Sequence, residues 1–216
     1  TIATGALIGA LVALSSVVAG AVGILFVDAL LQSSGKTAGS LFKSKFATRK
    51  VAVEAVAPES VLDRSLAAAT IMGAASVLSA VLWFKGFVGE GVDVGDSLLV
   101  DRLALFGFML ACLGGTLASL MSSWHLYDLE ADEGQFHPVM MLATSGAMLL
   151  CASSSFVMMF LALETMSLGV YILAGFRRAS PLSTEGAMKY FLMGAFASAL
   201  LLYGLALLYG AAGSLN

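Results

Sequence analysis

Long apolar runs separated by polar breaks dominate the chain. They cover Gly5–Leu31, Leu66–Phe84, Leu98–Ser122, Ser155–Phe176 and Thr184–Gly210, with a shorter run over Pro138–Ala152. Crossing a bilayer core takes about 20 mostly apolar residues. The pattern therefore predicts an all-α membrane protein with about six transmembrane helices, one per run. The runs lack the period-2 alternation of barrel strands, which argues against a β-barrel. Pro138 suits a first helical turn. Small residues recur four apart at Gly5, Gly9 and Ala13, and again at Gly194 and Ser198. This spacing predicts close helix–helix contact in lipid.

The polar breaks carry the topology. Residues 32–65 form a basic stretch with Lys36, Lys43, Lys45, Arg49, Lys50 and Arg64. It reads as a surface loop, with room for an interfacial helix over Leu41–Val56. It is too short to enclose a core of its own. Arg177 and Arg178 follow the fifth run and fall on the same side as this loop. Both sites are assigned to the cytoplasm or matrix. The Lys85–Asp96 loop, with Glu90, Asp93 and Asp96, falls on the opposite side. The acidic Asp128–Glu133 loop lies on the basic side, and acidic residues weigh little in this rule.

Composition narrows the function. Of the 216 residues, 59% are hydrophobic and 12% charged, and the mean hydropathy is +0.95. Soluble domains carry about twice that share of charge, so a water-soluble enzyme and a disordered chain are both disfavoured. A net charge of −3 leaves no basic footprint for nucleic acid. Cys112 and Cys151 lie in apolar runs without metal spacing and read as two free buried thiols. No phosphate loop, haem-attachment motif or cysteine cluster is present, so no cofactor or metal is expected in this chain. The run from Ile2 to Val27 is too long for a signal peptide.

One charge breaks the pattern. Glu164 sits about ten residues into the fifth run, near mid-bilayer. Holding an ionised carboxylate there costs about 2.5–3.5 kcal/mol on insertion scales. Desolvation raises its pKa and a nearby cation lowers it. A carboxyl poised between these influences can change protonation when a partner charge moves, as a proton-transfer step requires. Ser167 and Tyr171 share its helical stripe at i+3 and i+7. Lys189, about five residues into the sixth run, is the second candidate. Axial rise separates it from Glu164 by roughly 10 Å, which argues against a direct salt bridge. His125 and His137 flank the acidic loop and read as solvated loop residues, although a proton entrance is conceivable there.

The residues around Glu164 carry a resemblance. The chain reads Phe160-Leu161-Ala162-Leu163-Glu164-Thr165-Met166-Ser167-Leu168, then Tyr171-Ile172-Leu173-Ala174-Gly175-Phe176-Arg177-Arg178. It continues through Glu185-Gly186-Ala187-Met188-Lys189-Tyr190-Phe191 and Ala197-Ser198-Ala199-Leu200-Leu201-Leu202-Tyr203-Gly204. This resembles subunit N, also called subunit 2, of respiratory complex I, densely from about His137 onward. Val100–Phe106 resembles the start of that family's third helix, and residues 1–97 match only in hydrophobic layout. Leu163 before the glutamate, and the tail to Arg177-Arg178, favour subunit N over its paralogues.

The resemblance implies the N-terminal half of an antiporter-like bundle of inverted repeats. It implies proton translocation coupled to NADH:ubiquinone electron transfer, through Glu164 and Lys189. Flavin and iron–sulfur groups are expected on other subunits. The implied partners are other complex I membrane subunits, lipid, and a second chain carrying the remaining helices. The family's seventh helix, with its central lysine, has no counterpart here. Chain ends in polar residues, the absence of an initiator Met, and Ala-, Gly- and Ser-rich spans lead to an expectation of the mitochondrial inner membrane. There the chain is expected as half of a split subunit, with the two halves meeting through Gly194 and Ser198. A bacterial plasma membrane is the alternative. The alternative functions are a cation/proton antiporter or membrane-bound hydrogenase subunit, and a structural membrane scaffold without proton transfer.

Overall fold

The structure, a computed structural model, describes residues 10–24, 58–85, 91–128, 135–177 and 180–214. Within them run six helices: α1 (Ala10–Ile24), α2 (Pro58–Phe84), α3 (Arg102–Asp128), α4 (Phe136–Ala152), α5 (Phe156–Ala174) and α6 (Pro181–Ala212). A small antiparallel hairpin, β1 (Val92–Val94) and β2 (Leu98–Val100), joins α2 to α3. Helices α2, α3, α5 and α6 are long and apolar enough to cross a membrane, while α1 and α4 are shorter apolar helices. The architecture is that of an all-α, multi-pass membrane protein.

Local chemistry sets the helix ends. Asp101 accepts the Ala104 amide at 2.7 Å and caps α3. Ser155 accepts the Met158 amide and caps α5. Ser180 does the same for Ser183, with Pro181 in the first turn of α6. Gly213 ends α6 in a left-handed conformation, φ 71°, returning its amide to the Tyr209 carbonyl.

Helix α2 lies along α3, α3 on α4, α4 along α5, and α5 against α6. The core sits among the first four helices, around Val17, Met72, Leu105, Phe108, Cys112, Met141 and Met148. Serine hydroxyls cross between α2 and α3: Ser76 donates to the Met109 carbonyl at 3.1 Å and Ser119 to the Ser65 carbonyl at 3.0 Å. Among the described residues of α6, only Leu205 is buried. Glycines let α4 and α5 meet backbone to backbone. A Cβ on Gly146 would lie 2.5 Å from the Met166 amide nitrogen, and one on Gly169 would lie 2.8 Å from Ala143 Cβ.

Several elements differ from the sequence expectation. Residues 58–64, assigned to the basic loop, form the first turns of α2, because Pro58 opens a helix there. The run starting at Leu98 is not helical until Arg102. Leu98–Val100 pairs with Val92–Val94 across a turn whose Gly95 and Asp96 both have positive φ, and Asp101 then caps the helix. The hairpin reaches the α4–α5 corner, where Ser154 donates to the Ser97 carbonyl at 3.0 Å and Leu98 bridges to Ser153. The fourth helix begins at Phe136, before Pro138. Cys112 is buried, but Cys151 is exposed, on the face of α4 that meets Gly107. Gly5, Gly9, Arg178, the interfacial helix over 41–56 and the acidic loop over 129–133 lie outside the described residues.

Gly146→Ala pushes α4 off α5. Thermal unfolding should show a loss of about 1–3 kcal/mol. Gly114→Ala, whose added Cβ meets nothing within 4 Å, should leave stability within about 0.5 kcal/mol.

Candidate functional site

Helix α5 has α4 on one side and α6 on the other. Ala162, Met166 and Gly169 face α4, and Tyr171 faces α6, contacting the rings of Tyr190 at 5.0 Å and Phe191 at 5.7 Å. Two close approaches set the α5–α6 register. A Cβ on Gly175 would lie 3.0 Å from Ala187 Cβ, and one on Gly194 would overlap the Tyr171 hydroxyl. On α6 the positions toward α5 are Ala187, Phe191, Gly194, Ser198, Leu201 and Leu205, alternating steps of four and three. That is the spacing of one helix face.

Glu164 lies seven residues before Tyr171 and so shares its stripe. It is half-buried, and its Oε1 is buried without a hydrogen-bond partner. A buried carboxyl oxygen left unpaired is costly. Its presence in a span makes it the candidate site. Ser167 is half-buried beside it. The Tyr171 hydroxyl packs on Gly194, two turns from Glu164, and its ring is held edge-on by Tyr190 and Phe191. An open apolar cleft of about 480 Å³ runs beside it, lined by Leu168, Tyr171, Ile172, Thr184, Met188 and Phe191.

Lys189 stands off the seam. Its side chain is 70% exposed and pairs with Glu185 one turn earlier on α6. The lysine's partner is thus on its own helix. His137 corrects the expectation of a solvated residue. It is 1% exposed inside α4, its Nδ1 lies 3.3 Å from Ser119 Oγ, and Phe136 packs edge-on against its ring. Phe136 in turn meets Phe176 at 5.2 Å, which places His137 near the far end of α5, away from Glu164. His125 falls within α3, and its side chain lies outside the described residues. Gly194, expected to meet a second chain, packs within this chain on Tyr171. Among the described residues, no group of three or more His, Cys, Asp or Glu is arranged to hold a metal ion.

Comparison with known proteins agrees with this geometry. Residues 153–216, covering α5, α6 and the corner before them, match the NADH:quinone oxidoreductase/Mrp antiporter transmembrane family. The chain is 47% identical over 156 residues to NADH-quinone oxidoreductase subunit N 1 of Sorangium cellulosum, across 70% of the chain and 30% of the relative. It is 40% identical over 146 residues to NAD(P)H-quinone oxidoreductase subunit 2 of Prochlorococcus marinus, across 67% of the chain and 27% of the relative. A chain of respiratory complex I from Thermus thermophilus superposes with a TM-score of 0.59 at 27% identity, covering 90% of this chain and 38% of that one. A chain of an archaeal membrane-bound sulfane sulfur reductase superposes with a TM-score of 0.70 at 15% identity, which shows a shared fold.

The helical bundle is thus that of an antiporter-like membrane subunit. Within that class the chain belongs to the subunit N family, also called subunit 2, of NADH:quinone oxidoreductase. It spans about a third of the length of the relatives it matches.

The Gly194–Tyr171 contact can be tested directly. Gly194→Ala should lower the thermal unfolding midpoint, because the methyl group takes the place of the hydroxyl. The cost should be about 1–3 kcal/mol. Adding Tyr171→Phe should recover part of that loss. Additive losses in the double variant would contradict the contact.

Proposed function

We propose that the chain contributes to proton translocation in the membrane arm of a respiratory NADH:quinone oxidoreductase, with Glu164 as the group that changes protonation. The observation that carries this reading is the buried, unpartnered Glu164 Oε1 within the α5 span. A carboxyl in apolar surroundings favours its neutral form, and an approaching cation favours the anion. A charge moving elsewhere in the assembly therefore makes the site take up or release a proton. Ser167 and Tyr171 shape its stripe. Lys189, held by Glu185, acts on Glu164 through the field rather than by contact, weakly while that pair is closed.

Electron transfer is assigned to partner subunits, with no cofactor in this chain. Other membrane subunits of the assembly are the proposed partners. The exposed faces of α5 and α6 fit contact with lipid and with helices equivalent to the rest of subunit N, which on the sequence reading belong to a second chain. The matched relatives named above are bacterial and support a bacterial plasma membrane; a mitochondrial inner membrane rests on the sequence reading alone. A cation/proton antiporter subunit shares the matched family. The 47% identity to a subunit N favours the respiratory assignment.

Glu164→Gln keeps the side chain's size and removes its titratable proton. The assembled complex should retain its subunits, while protons moved per NADH oxidised should fall by roughly tenfold or more, the scale of a lost proton-transfer group. Wild-type pumping in that assembled variant would refute the assignment.

A further inference from the structure

Counting along the α5–α6 seam brings Ser198 to about the level of Glu164. Going back eleven residues along α5 from Gly175 reaches Glu164, and going forward eleven along α6 from Ala187 reaches Ser198. Gly175 and Ala187 are in contact across the seam, and the helices run antiparallel. Seven residues back along α5 from Tyr171, and seven forward along α6 from its contact Gly194, pair Glu164 instead with Leu201, one turn further on. Both Ser198 and Leu201 are half-buried seam positions on a helix that is otherwise almost wholly exposed. Of the two, only Ser198 can donate a hydrogen bond. Serine in a helix usually returns its hydroxyl to a carbonyl one turn earlier, as Thr144, Thr165 and Thr184 do here. Ser198 makes no such bond among the described residues. Its hydroxyl is thus available at the level of a buried carboxyl oxygen that has no partner.

We propose that Ser198 is a positioning residue for Glu164, donating its hydroxyl hydrogen to the ionised carboxylate across the α5–α6 seam. The inference rests on Glu164 changing protonation, as proposed above. A donor to the charged form favours that form, and removing the donor withdraws that support. No proton is transferred by Ser198: the hydroxyl keeps its hydrogen and turns with the state of the acid.

The other titratable groups around Glu164 lie off this contact. On α5, Tyr171 is two turns away with its hydroxyl against Gly194. On α6, Glu185 and Lys189 are exposed and paired with each other, and Tyr203 is exposed. On α4, Cys151 faces Gly107, and His137 sits near the far end of α5.

The test uses the assembled complex in membranes and reads the carboxyl stretching band of Glu164 by infrared difference spectroscopy against pH. The band is assigned by its loss in Glu164→Gln. Ser198→Ala should raise the midpoint by about one pH unit, the scale of one hydrogen bond to a charged group, and Ser198→Thr should restore it. A midpoint unchanged in Ser198→Ala, with the band still titrating, overturns the role of Ser198 and leaves the proton reading standing. A shift produced by Ser167→Ala in its place overturns it too, by assigning the donor to α5. A band that does not titrate in the unmodified complex overturns both readings.

Discussion

How closely two helices approach decides what faces what in this molecule. Apolar side chains gain little by leaving lipid for one another, so packing in a bilayer turns on small residues and hydroxyls. Gly146 lets α4 meet the Met166 backbone, and Gly194 lets α6 seat the Tyr171 hydroxyl. Each contact fixes the register of its helix pair. The first turns the face of Ala162, Met166 and Gly169 toward α4. The second brings the opposite face, with Tyr171 and Glu164, toward α6. Glu164 therefore faces a seam because of residues one and two turns away, and not through any bond of its own.

The two halves of the bundle are held differently. Helices α1 to α4 enclose a packed core in which Met72, Met141 and Met148 fill the space between glycine and alanine positions, a use suited to an unbranched, adaptable side chain. Serines of α2 and α3 tie that half by donating to carbonyls of the facing helix. The hairpin then reaches across to the α4–α5 corner through Ser97 and Ser154, fixing where α5 begins. Among the described residues, helix α6 has one buried residue and packs chiefly against α5. The site lies at the boundary between the rigid half and the exposed one. That is where a carboxyl can be desolvated on one side and reached from the other.

Much of this was legible in the sequence. Glu164 stood out because it is the lone charge in a long apolar run. The hairpin was not legible, because Leu98-Leu99-Val100 merges with the apolar run after it, and only Gly95, Asp96 and Asp101 mark the break. His137 read as a loop residue because polar neighbours precede it. Its burial comes from Ser119, eighteen positions away, which no local pattern reveals. The Lys189–Glu185 pair follows from an i, i+4 spacing on one helix face. Ser198 registered only as a small residue, since its facing position depends on the Gly175–Ala187 contact.

The position of Lys189 bears on how the site can respond. A lysine bonded to Glu164 would hold the carboxylate charged and make its proton uptake difficult. Paired with Glu185 instead, Lys189 presents a nearly cancelled charge to the rest of the molecule, and the field of such a pair falls off faster than that of a lone cation. If an approaching anion drew Lys189 away from Glu185, or if Glu185 took up a proton, the cancelled charge would be released toward the seam. Glu164 would then be driven toward its anion without any contact between the two. The geometry thus separates the proposed proton-carrying group from the charge pair on α6. The i, i+4 pair on α6 is the element through which one could act on the other.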